Sequence, residues 1–331
     1  MNKKIFITGG AGYIGSVLTP MLLEKGYQVV LLDKLIFGQK PYSDKENFKF
    51  INGDVRDFDL VKKIIEENDF DVVIPLAALV GAPICSKYII EAEQINYSSC
   101  NFLFENLKKN IKIILPVSNS GYGIAEHNKP CTEESPLNPI SVYGVTKVKS
   151  ENSLIKRGNY ISLRLATIFG MSPRMRLDLL VNNFVYDAIT KKYLEIFEGK
   201  FKRNYVHIKD VARVFIFCIE NFDRLKNNVY NFGLENVNLT KIELAESIKK
   251  HIDGFNYVLN EFGHDPDKRD YIVSNQKILK TGFKFKFSLD EGIIELINGI
   301  QKLDKGSYTN VVDNINGEDI GYLTKNSLCK L

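Results

Sequence analysis

Apolar runs rich in β-branched and aromatic residues recur along the chain at intervals that leave room for a helix between them. Lys3 to Thr8, Gln28 to Leu32, Phe48 to Gly53, Asp71 to Ala77, Lys112 to Ser118 and Tyr160 to Thr167 are the predicted strands. Their apolar positions run on rather than alternate, which predicts strands covered on both faces, and the crossover segments predict a parallel sheet. The fold class is α/β, a doubly wound parallel sheet. Glu91 to Lys108 and Ser141 to Lys156 carry the longest central helical patterns. The pattern loosens after residue 170, where Ser172-Pro173-Arg174-Met175-Arg176 opens an irregular, charged region. The expected organisation is a sheet domain over 1–170 to which 205–233 returns, a smaller substrate-binding lobe from 171–204 and 234–304, and a polar tail over 305–331.

The first strand runs into Thr8-Gly9-Gly10-Ala11-Gly12-Tyr13-Ile14-Gly15-Ser16. Glycines there let the backbone turn sharply: Gly9 and Gly12 clear the approach of a pyrophosphate, and Gly15 lets helix and strand pack closely. The helix that follows turns its N-terminal amides toward an anion. The second strand then delivers Asp33, whose carboxylate suits the two ribose hydroxyls and repels a 2′-phosphate. Strand, turn, helix, strand and acid in that order predict an NAD site.

Composition narrows the partners. With 331 residues, 44% hydrophobic and 25% charged, the chain can bury a large core, and a net charge of +4 gives no argument for nucleic acid or a membrane surface. Cys85, Cys100, Cys131, Cys218 and Cys329 show no paired spacing, and His127, His207, His251 and His264 show no ligand spacing, so no metal is expected. Reduced thiols, the lack of a signal peptide and the lack of a membrane-length apolar run point to a cytoplasmic protein.

Tyr143-Gly144-Val145-Thr146-Lys147 places a phenol and an ammonium four residues apart, on one face of a helix. Lys147 beside the nicotinamide end of the cofactor is expected to lower the Tyr143 pKa, so that the phenolate accepts a hydroxyl proton. Ser118, at the carboxyl end of the fifth strand, is the third member, with Ser120 the competing candidate.

These motifs resemble the extended short-chain dehydrogenase/reductases of the nucleotide-sugar epimerase/dehydratase family, which implies a Rossmann domain and NAD chemistry. Asp54-Val55 and Leu76-Ala77-Ala78 also match. The resemblance implies cofactor contacts from Gly9, Gly12, Tyr13, Ile14, Gly15, Asp33, Asp54, Val55, Leu76, Ala77, Ala78, Asn96, Tyr143 and Lys147. Asn96 would organise the site or simply bridge helices. The segment Arg203-Asn204-Tyr205-Val206-His207-Ile208-Lys209-Asp210-Val211 resembles the one whose arginine grips a nucleotide diphosphate, and Arg269 falls where a second arginine is found. Arg174 and Arg176 reach either the substrate or surface ion pairs. A homodimer through the two long helices is implied by the family alone.

Departures from the family pattern bear on the reaction. Ser118 is followed by Asn119-Ser120 instead of the Asp-Glu pair of dehydratases, which argues against 4,6-dehydration. Thr167 replaces the usual Asn, so Asn119 and Thr167 are expected to make different substrate contacts. The segments Leu76 to Pro83, Asn119 to Gly123 and Ser172 to Asn182 resemble the branch that oxidises C4 of a GDP-heptose for surface polysaccharide. That implies a nucleotide-diphosphate sugar as partner and possible reoxidation of NADH by a keto acid; 4-epimerisation through the same ketone stays open.

Overall fold

The computed structural model describes residues 3–37, 46–126, 129–260 and 269–303. The expected tail, with Cys329, and His127 and His264 lie outside the described residues. Twelve strands form among the described residues: β1 Lys4–Thr8, β2 Gln28–Asp33, β3 Phe48–Asn52, β4 Val72–Pro75, β5 Lys112–Ser118, β6 Tyr160–Leu165, β7 Thr167–Phe169, β8 Tyr193–Phe197, β9 Lys202–His207, β10 Asn228–Phe232, β11 Asn238–Thr240 and β12 Asn256–Asn260. Seven make one sheet in the order β10-β6-β5-β4-β1-β2-β3, and every neighbouring pair is parallel.

The pleat sorts the apolar runs onto two faces. Ile5 and Ile7 of β1 pack with Leu18, Leu163, Val214 and Phe215 on one side, and Phe6 packs with Val73, Leu103, Leu115 and Leu154 on the other. A third cluster (Phe169, Val185, Ile196, Leu244, Ile293) gathers the elements that follow β6.

The run from Tyr160 to Thr167 does not form one strand. Ala166 breaks it: β6 stays in the main sheet, and β7 pairs with β9 in a three-stranded sheet. β9 and β10 converge there so closely that a Cβ on Gly233 would lie 1.8 Å from Asn204 Oδ1 and 2.7 Å from the Ala166 Cβ. The first long helical pattern is also interrupted, with one π turn (Gln94–Ser98) between Ile89–Glu93 and Ser99–Asn106. Such insertions re-aim a side chain, here Asn96.

The closing helix, Leu289–Ile300, is anchored by a partly buried contact. His207 Nε2 lies 2.7 Å from Glu295 Oε2, its ring stacks on Phe287 at 4.6 Å, and Lys209 pairs with the other carboxylate oxygen. A Cβ on Gly292 would come within 2.2 Å of Phe169, so the helix sits against the β7 strand. Burial alone would raise the Glu295 pKa, but the bonds from His207 and Lys209 outweigh it and hold the carboxyl at about 2. A depressed carboxylate contributes stability above its ordinary pKa and loses it as pH falls through the folded one. Between pH 4.5 and about 2, Glu295→Gln is therefore expected to lose less stability with acidification than the wild type, as read by urea denaturation at each pH.

Candidate active site

The carboxyl ends of the central strands open on one cleft of ≈ 460 Å³. Register explains why the expected residues meet there. Thr8 is paired with Leu32 and with Pro75, so Gly9, Asp33 and Leu76 emerge side by side, at the point where the chain leaves β1 in opposite directions.

Gly9 has φ +69°, and a Cβ on it would lie 2.5 Å from the Ala77 backbone; a Cβ on Gly15 would lie 2.3 Å from Gly10 O. Both glycines are thus required by chain packing. Gly9 clears the neighbouring strand's exit, and Gly15 lets the helix close onto the turn that leaves β1. Gly12, whose nearest neighbour would be Gly9 O at 3.1 Å, is the open position. The first turn of the helix Gly15–Glu24 carries no acidic residue, and the Asp33 carboxylate accepts the Ala11 and Leu35 N–H groups at 2.9 and 2.8 Å. An anion-tolerant helix start beside a carboxylate fits a dinucleotide. Burial raises the Asp33 pKa against the effect of those N–H bonds.

Ile14, Val55, Leu76, Ala77 and Ala78 line the cleft as expected. Asp54 lines it too, yet its carboxylate is held by Arg56 (2.7 and 3.0 Å) and by Lys34 at 3.2 Å. Burial is outweighed by the Arg56 bonds, and the Asp54 pKa is lowered. Tyr13 turns its hydroxyl onto Gly170 O (2.7 Å) and receives Asn182 Nδ2 (3.1 Å), tying the glycine turn to the segment after β7. Asn96, expected among the cofactor contacts, does not line the cleft, because its amide is taken up by neighbouring chain segments. Its amide clamps both polar groups of the Leu79 peptide (2.8 and 2.9 Å) and donates to Thr146 Oγ1 at 3.1 Å, on the helix of Tyr143 and Lys147. Asn119 is wholly buried and is not part of the cleft lining, contrary to the expected substrate contact, because the 3₁₀ turn Asn119–Tyr122 carries it inward.

At the other end of the cleft stand Ser118, Ser120, Tyr143 and Lys147, the last two on the helix Val142–Arg157. Ser118 Oγ lies 2.7 Å from Ser120 Oγ, which in turn accepts from Arg269 Nη1. Burial pushes the Tyr143 phenol up to about 12; Cys85 adds to this, while Arg176, Arg269 and the Ser118 hydroxyl oppose it. Arg176 and Arg269 are thus two cations that act on Tyr143. Lys147 itself is buried, and burial lowers its pKa. Arg176 is fixed by Asp178 (2.5 Å) and by Val80 O (3.2 Å). Arg203 lies over the Tyr271 ring at 5.6 Å, with Arg269 Nη1 3.4 Å from the Tyr271 hydroxyl. Thr167 lines the cleft nearby. Arg174 instead stands near Asp33, over the Phe37 ring at 3.8 Å.

A buried network escaped the sequence reading. Glu151, one turn beyond Lys147, accepts from Arg164 Nη2 at 2.7 Å and from Ser162 Oγ at 2.5 Å. Arg164 Nη1 donates to the Tyr122 hydroxyl at 3.0 Å, and Tyr122 follows the serine turn. The i, i+4, i+8 series Tyr143, Lys147, Glu151 was the available signal. Among the described residues, no group of side chains that could hold a metal is found, and no helix is long and apolar enough to cross a membrane.

A doubly wound sheet, a glycine turn at its switch point and a Ser-Tyr-Lys set at the far end of one cleft define a dinucleotide-dependent oxidoreductase architecture. The chain belongs to the NAD dependent epimerase/dehydratase family, whose model matches residues 5–233, and it is an NAD-dependent enzyme. It is 29% identical to the UDP-glucose 4-epimerase of Lactobacillus helveticus over 270 residues, 75% of this chain and 81% of that one. It is 29% identical over 315 residues to UDP-glucuronic acid decarboxylase 1 of Arabidopsis thaliana, covering 89% of this chain and 69% of that one. The structure of UDP-glucose 4-epimerase with UDP-glucose from Thermotoga maritima is similar, with a TM-score of 0.78, 26% identity, and coverage of 90% and 99% of the two chains.

Removing one partner of a buried ion pair strands the other charge. Glu151→Ala is therefore expected to cost about 3–5 kcal/mol in equilibrium denaturation, far more than Glu93→Ala at the half-exposed pair with Lys149.

Proposed function

We propose that this enzyme oxidises the C4 hydroxyl of a nucleotide-diphosphate sugar to a 4-keto sugar, with GDP-heptose as the substrate. The observation that carries the reading is the hydrogen-bonded run Arg269–Ser120–Ser118, with the Ser118 hydroxyl acting on Tyr143, at one end of a cleft whose other end fits NAD. Bound NAD supplies the hydride acceptor. Tyr143 takes the hydroxyl proton, Ser118 orients the substrate oxygen, and buried Lys147 stands on the adjoining helical turn. Ser118, rather than Ser120, is the serine that acts on the phenol, and Ser120 is engaged by Arg269.

Arg203 and Arg269, grouped about Tyr271, suit the paired oxygens of a diphosphate. Val80 and Pro83 give the cleft an apolar wall beside Arg176. Neither residue after Ser118 carries a carboxylate, so no acid-base pair is present there to expel water. The reading of GDP-heptose rests on the resemblance of the segments 76–83, 119–123 and 172–182. Release of the ketone then requires a second carbonyl compound, such as a keto acid, to reoxidise NADH. The second reading is 4-epimerisation, in which the ketone is reduced again after turning over; the likeness to UDP-glucose 4-epimerases favours it.

Incubation with GDP-heptose, GDP-mannose, UDP-glucose and UDP-N-acetylglucosamine, with NAD and a keto acid in deuterated buffer, separates the two by mass spectrometry of the recovered sugar nucleotides. Loss of two hydrogens is expected for the oxidation, and unchanged mass with inverted C4 for the epimerase. No change in any sugar would overturn both. Tyr143→Phe is expected to lower turnover roughly 100- to 10,000-fold with little change in NAD affinity. Because burial raises the Tyr143 pKa, oxidation should quicken as pH rises through the neutral range. Arg176→Met removes a cation that lowers that pKa and is expected to displace the rising limb of kcat to higher pH.

A further inference from the structure

A dinucleotide brings two diphosphate charges to the glycine turn, and the first helix supplies amides there but no basic side chain. We propose that Arg174, contributed by the segment after β7, binds the diphosphate of NAD. This rests on NAD dependence and not on the C4 reading.

The segment is fastened to the turn itself. Ser172 Oγ donates to Tyr13 O at 2.8 Å, Tyr13 donates to Gly170 O at 2.7 Å, and Asn182 accepts from Gly170 N at 3.0 Å while donating to the Tyr13 hydroxyl. The Arg174 backbone N–H reaches Ser16 Oγ at 3.4 Å, one residue past Gly15. Arg174 is 2% exposed, its guanidinium lies over Phe37, and both residues line the cleft with Gly12, Ile14 and Asp33. The fold thus fastens the Arg174 backbone to the helix start and holds its buried guanidinium on the same side of the cleft, over Phe37 and near Asp33, where Nη1 donates to Met175 O.

Other cations of the cleft are placed for other tasks. Lys34 and Arg56 hold Asp54, Arg176 holds Asp178, Lys147 shares a helix face with Tyr143, Lys241 donates to Phe197 O, and Arg203 and Arg269 gather at Tyr271. Burial and the neighbouring Arg176 hold the Arg174 pKa down to about 10, so it stays charged at neutral pH. A buried charge beside an anion-binding helix start is complementary to a polyanion. One consequence is coupling: the segment that meets the diphosphate also carries Arg176 to the catalytic end.

The test is calorimetric titration of NAD, ADP-ribose and adenosine into the full-length protein freed of nucleotide. Arg174→Met is expected to weaken NAD and ADP-ribose alike, roughly 10- to 100-fold, with adenosine within twofold of wild type. NAD affinity within twofold of wild type, an equal loss for adenosine, or a rise confined to the sugar-nucleotide KM would each overturn the proposal. If Arg174→Met does not fold, as judged by circular dichroism, Arg174→Gln is read by the same criteria. A missing C4 oxidation would leave these binding results unaffected.

Discussion

The mutual placement of Ser118, Tyr143 and Lys147 depends on a desolvated ion pair. Glu151 is completely buried and Arg164 nearly so, and withdrawing both charges from water is tolerable only because their polar atoms are matched. Ser162 and two guanidinium nitrogens serve the carboxylate, and the remaining arm of Arg164 meets the Tyr122 hydroxyl and Glu133 O. Those groups belong to the Tyr143–Lys147 helix, to β6 and to the turn that follows Ser118. Tyr122 extends the network to Asn231 on β10 at 2.6 Å. A single polar network thereby fixes the serine relative to the tyrosine, which hydrophobic packing with its loose directional demands would not do.

A second clamp works from an adjacent face of the helix, that of Thr146 and Ser150. Asn96, turned inward by the π turn, grips the Leu79 peptide after β4 and the hydroxyl of Thr146, while Ser150 donates to Asn96 O at 2.6 Å. The cleft wall and the Tyr143–Lys147 helix are thereby joined by direct hydrogen bonds. The Tyr13, Ser172 and Asn182 contacts do the same for the glycine turn and the segment after β7. Cofactor turn, catalytic helix and the arginine-bearing segment are therefore bolted together by buried polar contacts, whose loss leaves unsatisfied groups and so is strongly resisted.

Local periodicity determined much of this protein. The continuous apolar strands, the glycine turn, Asp33 at the end of its strand and the Tyr143–Lys147 face all follow from spacing along a few neighbouring residues, because strand and helix repeats are set by backbone geometry. What only the tertiary structure decided is which distant groups meet. Nothing local marks Arg164 as the partner of Glu151, Phe37 as the platform for Arg174, or Ala77 as the reason for Gly9. Asn119 follows Ser118 in sequence but is turned into the interior, and Arg174 and Arg176 are two residues apart but take different partners, Phe37 for one and Asp178 for the other. A chain pattern records the faces of its own elements; the pairing of those faces is fixed by sheet order and by the closing of loops over it, which no short stretch contains.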